Sequence, residues 1–302
     1  MPSIIKEKLG STWYNIGFIE NVNGLVTQED VDKRIQWLDR GDYNEGWFAD
    51  PIIYSVNDKE IIAFVEEYVY ATHKGRLSEL IIDRTAYKLK QIIPMLDLDT
   101  HLSFPIFCKH DGKTYVYPEN SQCGQLKIYE YDEASHQLVN PKVLVDAPLV
   151  DPQILEINGK YYVLSTQFKT LAKLDDDLFV YESDCLFGPY KQVQVLHNDI
   201  DEERGAGQIF SVDNRLIRPA QSSVGGYGKQ LIFYELIYSD SGRLFREKEI
   251  GRLSPCPTKM DQQLHTYNQM GSLVVVDGNE FVYKNFAKIY YKLFRTLLHK
   301  IS

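Results

Sequence analysis

Short apolar runs of strand length, broken by compact polar turns, recur along most of the chain. Phe48-Ala49-Asp50-Pro51-Ile52-Ile53-Tyr54 is followed by Asn57-Asp58-Lys59-Glu60 and then by the apolar run Ile61 to Val65. The same order returns three times: Phe104 to Phe107, His110-Asp111-Gly112-Lys113, Thr114 to Tyr117; Asp151 to Ile154, Asn158-Gly159-Lys160, Tyr161 to Leu164; and Gly207 to Phe210, Asp213-Asn214-Arg215, Leu216 to Arg218. A degenerate copy runs from His265-Thr266-Tyr267 through Ser272 to Val276. Asn-Gly or Asp-Gly between apolar runs predicts a tight hairpin, because both central positions need positive φ. Taking Pro51, Pro105, Pro152, Gly207 and Thr266 as equivalent, the intervals are 54, 47, 55 and 59 residues. Further strands fall between the copies, at 124–131 and 177–183. A repeat of this length built from short strands predicts an all-β fold, a five-bladed β-propeller over residues 48–283. The rival is a β-sandwich, but a sandwich does not demand a recurring motif at the start of each unit.

The flanks differ from the repeats. Residues 1–47 read as a leading segment packed on the propeller, with a short helix capped by Thr27 and Asp30 and with Val31, Ile35 and Leu38 on one face. At the other end, Lys284, Lys288, Lys292, Arg295 and Lys300 accompany Phe286, Ile289, Tyr290, Leu293, Phe294, Leu297, Leu298 and Ile301 with no acid among them. That spacing predicts a basic amphipathic helix over 284–302, suited either to an anionic membrane surface or to closing the propeller edge.

Composition narrows the function classes. A net charge of −9 argues against nucleic acid as a partner. Cys108, Cys123, Cys185 and Cys256 form no C-x-x-C pair, so neither a zinc site nor a dense disulfide framework is indicated. Met1 to Tyr14 shows no basic-then-apolar leader and no run of 18 apolar residues occurs, which predicts a cytoplasmic protein, peripheral at a membrane if the basic helix docks there. The 21 tyrosines suit strands and also sugar-facing surfaces, since rings stack on the apolar faces of sugars.

In a propeller the first strands of the blades converge on the axis. Asp50, His101 or Ser103, Asp151, Arg204 and His265 are therefore expected around one centre. Carboxylates with a histidine and an arginine around a funnel suit sugar recognition and acid–base work. Glu66 and Glu67 are adjacent on a strand, so only one of them can face the axis. A single histidine offers only weak support for a cation on that axis, and no other cofactor is indicated. The Gly-rich loop Ser222 to Gly228 has no lysine after it in a phosphate-cradling pattern and reads as a flexible rim.

Ala49-Asp50-Pro51 with its following hairpin resembles the blade-one motif of the five-bladed glycosidase clan of arabinanases, β-xylosidases, invertases and levansucrases. The resemblance implies a base or nucleophile at Asp50 and an acid-tuning, sugar-holding role for Asp151. The clan's blade-four general acid is absent: Arg204-Gly205-Ala206-Gly207-Gln208 stands there, leaving Glu67, Glu119 or Glu203 to supply a proton. A closer likeness covers most of the chain. Trp37-Leu38, Phe48 to Pro51, Glu66-Glu67-Tyr68, Lys74-Gly75-Arg76, His101 to Pro105, Pro118-Glu119-Asn120, Gly188-Pro189-Tyr190, Arg218-Pro219-Ala220-Gln221 and Leu264 to Tyr267 stand in order. Together they resemble the propeller at the N-terminal side of plant glucosamine inositolphosphorylceramide transferases, whose bacterial relatives occur in envelope-polysaccharide gene sets.

Two readings follow. In the first, the chain is a glycosidase- or glycosyltransferase-like propeller of bacterial surface-glycan metabolism. Asp50 is its base or nucleophile, Asp151 the orienter and Glu119 or Glu67 the acid, while His101, Ser103, Arg204, Arg218, Gln221 and His265 bind the glycan or sugar-lipid. In the second, it is a non-catalytic glycan-binding or scaffolding propeller that assists a partner glycosyltransferase.

Overall fold

The computed structural model describes residues 11–20, 22–170, 173–174, 177–196, 203–239 and 244–282. The basic helix expected over 284–302 lies outside the described residues. Five antiparallel sheets are arranged as the blades of a propeller. Strands β1 (Ser11–Ile19) and β2 (Gln36–Trp37) come first in the chain but belong to the last blade. Blade one holds β3 (Gly46–Val56), β4 (Glu60–Val69), β5 (Lys74–Asp83) and β6 (Lys88–Leu96). Blade two holds β7 (Ser103–His110), β8 (Lys113–Glu119), β9 (Leu126–Asp132) and β10 (Gln137–Val145). Blade three holds β11 (Leu149–Ile157), β12 (Lys160–Thr170), β14 (Leu178–Ser183) and β15 (Lys191–Leu196), with β13 (Lys173–Leu174) paired to β12. Blade four holds β16 (Phe210–Val212), β17 (Arg215–Ser222), β18 (Gln230–Tyr238) and β19 (Phe245–Leu253). Blade five is completed by β20 (Tyr267–Met270) and β21 (Leu273–Val282).

The turns follow from their sequences. Asp111-Gly112, Asn158-Gly159 and Asp213-Asn214 all take positive φ at both positions, the backbone that keeps a two-residue turn in step with strand twist. In blade one the Asn57 side chain instead accepts from the backbone N–H groups of Lys59 and Glu60, at 2.8 and 2.9 Å. Buried apolar clusters then fill the spaces between neighbouring blades. One joins Phe64 and Leu77 of blade one to Phe104, Phe107 and Tyr131 of blade two.

The leading segment differs from its expectation. Residues 1–47 are not simply packed on the propeller, because β1 pairs with β21 from Ser11↔Val282 to Ile19↔Val274 and so is part of blade five. The helix α1 (Gln28–Arg34) carries the expected capping box at Thr27 and Asp30 but ends sooner. Ile35 is already extended at its C-cap and Leu38 joins the blade-one and blade-five core, because β2 must start at Gln36 to pair with β1. Val31 packs with Ile19, Val26 and Leu253, so the helix seals the seam between blades four and five. Among the described residues, no helix is long and apolar enough to cross a membrane.

Candidate functional site

The innermost strands of blades one, two and three share one irregularity. Strand register breaks between Ala49 and Ile52, between Ser103 and Ile106, and between Val150 and Gln153. The extra residues are Asp50-Pro51, Phe104-Pro105 and Asp151-Pro152, and the first of each pair has φ of 50°, 51° and 47°. Proline has no N–H to give to a ladder, so the strand bulges there and the preceding side chain is redirected. In blades one and three the redirected side chain is a carboxylate. In blade two it is Phe104, which is fully buried.

Asp50 is buried at the junction of blades one, two and five. Its Oδ2 accepts from the Phe104 N–H at 3.1 Å, and its Oδ1 lies 3.6 Å from Nε2 of His265. His265 Nδ1 meets Oδ1 of Asp277 at 2.7 Å. That Asp277 oxygen also accepts from the Thr266 N–H at 2.9 Å, while Oδ2 accepts from the Asp50 N–H at 2.9 Å. Burial works against a charged imidazole, but Asp277 and then Asp50 outweigh it and raise His265 to about 9. Burial likewise opposes ionised Asp277, yet the His265 charge and hydrogen bonds hold it below the usual carboxylate range. Asp50 goes the other way. Burial, with Glu66, Asp277 and Asp151 nearby, pushes it well above that range despite His265.

A second group faces it from blades two, three and four. Asp151 Oδ2 accepts from Arg204 Nε at 2.6 Å and from Gln221 Nε2 at 3.0 Å. Gly205 lets Arg204 come this close: a Cβ there would lie 2.3 Å from the Asp151 carbonyl oxygen. Glu119, at the end of β8, accepts from Ser121 Oγ at 2.9 Å, and its Oε2 is 3.6 Å from Arg204 Nη2. That Oε2 is buried, and the Glu119 side chain lies within hydrogen-bonding reach of Asp151. Burial, then the neighbouring Asp151, raise Glu119 to about 8 against the pull of Arg204. Burial and Asp151 thus favour the protonated form of Glu119, the form able to give a proton. Ser103 sits opposite it in the β7–β8 ladder.

His101 and Glu66 form a third element. The His101 Nδ1 accepts from the Gly75 N–H at 2.9 Å, leaving Nε2 3.2 Å from Glu66 Oε1. Burial disfavours the His101 charge, but Glu66 prevails and raises its pKa.

Two sequence-derived candidates lie elsewhere. Glu67, expected as an acid, is held by Arg76 Nε at 2.9 Å, Ser78 Oγ at 2.6 Å and the Tyr43 hydroxyl at 2.8 Å. Of the adjacent pair, it is Glu66 that acts on Asp50. Arg218, expected to bind ligand, is completely enclosed. It donates to Glu247, to the Glu203 carbonyl at 3.0 Å and to Glu203 Oε2 at 3.3 Å, so its guanidinium is a structural clamp inside blade four. Glu203 is held in the same clamp.

Sequence reasoning did not find Asp277, Tyr14 or Tyr227. Tyr14 donates its hydroxyl to Gln263, and its ring lies 5.2 Å from that of His265. The available signal for Asp277 was an acid ending the apolar run Leu273 to Val276, the same feature that marks Glu66. Asp50, His265 and Asp277 also offer ligand atoms within 4.8 Å of one another.

Comparison with known proteins adds the following. Residues 36–265 match the sequence profile described as glucosamine inositolphosphorylceramide transferase 1, N-terminal. Glucosamine inositolphosphorylceramide transferase 1 of Oryza sativa subsp. japonica is 25% identical over 203 residues, covering 65% of this chain and 27% of that protein. The Arabidopsis thaliana protein of the same name is 28% identical over 191 residues, covering 61% of this chain and 25% of that protein. The chain thus spans about a quarter of the length of these curated relatives. Among solved structures, an exo-β-1,3-galactanase from Phanerochaete chrysosporium with galactose superposes with a TM-score of 0.55 at 13% identity, over 72% of this chain and 55% of that one. A GH43 β-xylosidase/α-arabinofuranosidase from a compost metagenome gives 0.50 at 13% identity, over 66% and 72%. The structural likenesses bear on the fold alone, the five-bladed β-propeller.

Proposed function

This chain belongs to the glucosamine inositolphosphorylceramide transferase 1 N-terminal family, and from that premise we propose that its funnel binds a sugar and acts at the sugar's glycosidic bond. The observation that carries the reading is one cluster of buried carboxyl groups in which Asp151 acts on both Glu119 and Asp50. Burial favours the protonated form of both, and the His265 charge is what pulls Asp50 toward the carboxylate that a base or nucleophile of glycoside chemistry needs. Glu119 gives its proton to the glycosidic oxygen as the bond breaks. Asp50 takes the proton of the attacking water or acceptor hydroxyl, or attacks the anomeric carbon itself. Asp151, fixed by Arg204 and Gln221, orients the sugar and keeps Glu119 protonated. Blade two thereby supplies the acid that blade four lacks. The names of the relatives point to a glucosamine-containing lipid, so the substrates to try first are lipid-linked and nucleotide-linked amino sugars. The protein would serve surface-glycan assembly in the cytoplasm or at a membrane face.

The test is incubation of the protein with such donors and with envelope polysaccharide fragments, followed by mass measurement. A sugar gained or lost with wild type and not with Asp50→Asn supports the reading. Tight Asp50-dependent binding with no mass change replaces it with a second one: a glycan-holding propeller that assists a partner glycosyltransferase. The observation favouring that second reading is Arg204, which occupies the place of an acid and is tied to Asp151 at 2.6 Å.

A further inference from the structure

The loop joining β17 to β18 leans from blade four across to blade five. It carries Tyr227, whose side chain is large, aromatic and 45% exposed. The Arg204 guanidinium carbon lies 5.0 Å from the centre of the Tyr227 ring, and the ring meets His265 edge-on at 5.7 Å. The phenol is also within the electrostatic reach of Asp151, Tyr14 and Asp50. One exposed aromatic ring is thus placed directly beside the carboxylates of the funnel.

That placement is built rather than incidental. Gly225, Gly226 and Gly228 take φ of 82°, 143° and 55°, which side-chain-bearing residues rarely adopt. At Gly228 space is limiting as well, since a Cβ would come 2.7 Å from the Cβ of His265. The Tyr227 carbonyl accepts from Gln263 Nε2 at 2.6 Å, and Gln263 Oε1 in turn takes Asn279 Nδ2 at 2.6 Å and the Tyr14 hydroxyl. Lys229 Nζ donates to the Gln262 carbonyl at 3.0 Å, and the Lys229 N–H closes the loop onto Ser222 at 2.8 Å. Behind the loop the rings continue from His265 to Tyr14 at 5.2 Å, Trp47 at 4.8 Å and Tyr68 at 4.6 Å, a rigid aromatic wall.

A fixed ring left in water beside carboxylates suits one ligand class, a molecule with an apolar C–H face and hydroxyls on its rim. We propose that Tyr227 is the stacking surface for the sugar ring held by Asp50 and Asp151, with Arg204 bracing the ring from one side and the sugar covering the other. The site therefore selects sugars whose C–H face is unobstructed. This rests on the reading of the funnel as a sugar site and goes beyond it by assigning a recognition residue outside the carboxylates.

The experiment is saturation-transfer NMR and calorimetric titration with the methyl glycosides of glucosamine, N-acetylglucosamine, galactose, xylose and arabinose. It compares wild type, Tyr227→Ala, Tyr227→Phe, Tyr227→Trp and Asp50→Asn. Tyr227→Ala is expected to weaken the bound glycoside about tenfold and to remove saturation from its C–H face. The Phe and Trp variants should stay within about threefold of wild type, because a ring remains. Asp50-dependent binding that Tyr227→Ala leaves untouched overturns this inference alone, as does a Phe variant as weak as the Ala variant. Absence of binding by the wild type to every glycoside overturns the sugar-site reading, and this inference falls with it.

Discussion

The two walls of the funnel hold similar acids with different cations. On the side of blades five and one, Asp50 and Asp277 are bridged by His265. On the side of blades two, three and four, Asp151 and Glu119 face Arg204. A guanidinium keeps its charge at any working pH, whereas an imidazole gives it up. The cation of the arginine wall is therefore fixed, and the cation of the histidine wall is one whose charge the solution sets. The contrast also divides the labour proposed for the site. The acid sits on the fixed wall, where Asp151 holds its proton, and the base sits on the adjustable one.

The sharpest way to break this contrast is to remove each cation. Arg204→Leu strands Asp151 and Glu119 in a buried setting and should cost about 3–5 kcal/mol of stability, measured by denaturant unfolding. Adding Asp151→Asn to it should recover part of that loss. If the single variant is as stable as wild type, the fixed-cation account fails.

Next in size is chemistry. Asp50→Asn should lower turnover of the sugar donor about 10²–10⁴-fold while leaving the blades folded. Comparable turnover by this variant would move the base elsewhere.

His265→Gln tests the adjustable wall. The folded-state value of His265, about 9, lies above its ordinary 6.5, so its contribution is complete below pH 6.5 and fades as pH rises through 9. The cost of the substitution should shrink across that window by on the order of 3 kcal/mol. The guanidinium of Arg204 does not titrate there and should show no matching step of its own. Equal pH dependence for both would erase the distinction between the walls.

A further pH test concerns Glu119. Its folded value of about 8 exceeds the ordinary 4.5, so the stability it confers is full below pH 4.5 and is lost as pH climbs through 8. Glu119→Gln should flatten that decline. In wild type, turnover should fall above about pH 8 as the acid loses its proton. Unfolding curves and rate profiles from pH 4 to 10 would reveal a variant that instead keeps the wild-type slope.

The blades were legible because turn chemistry is local. Asn158-Gly159 or Asp111-Gly112 announces a hairpin whatever surrounds it. Asp50, Asp151 and His265 were legible for a related reason, since each directly precedes the equivalent position of its repeat, and Arg204 stands three residues ahead of it. The choice between Glu66 and Glu67 was not. Alternation puts them on opposite faces, but both faces of a blade are covered by neighbouring blades, so hydrophobic patterning cannot say which one meets the axis. Arg218 looked like a funnel residue because the run Leu216 to Arg218 was expected to end there, whereas β17 continues to Ser222. Its partners Glu203 and Glu247 are brought to it by folding, and no spacing in the sequence announces them. Tyr227 sits in a loop that reads only as flexible, and the contact of Gly228 with His265 that fixes it is tertiary. The place of β1 in blade five was hidden too, because its partner lies at the far end of the chain.

That last pairing has a kinetic consequence. Blades one to four are each assembled from consecutive strands, so each can form from nearby chain. Blade five cannot: Ser11 must find Val282 before the sheet exists. Joining such distant segments carries the largest loop-closure entropy in the molecule, and non-local pairing of this kind slows folding. His265 and Asp277 belong to the blade that waits for this step. The ring is therefore expected to close last, and one wall of the funnel takes its shape only when the circle is complete.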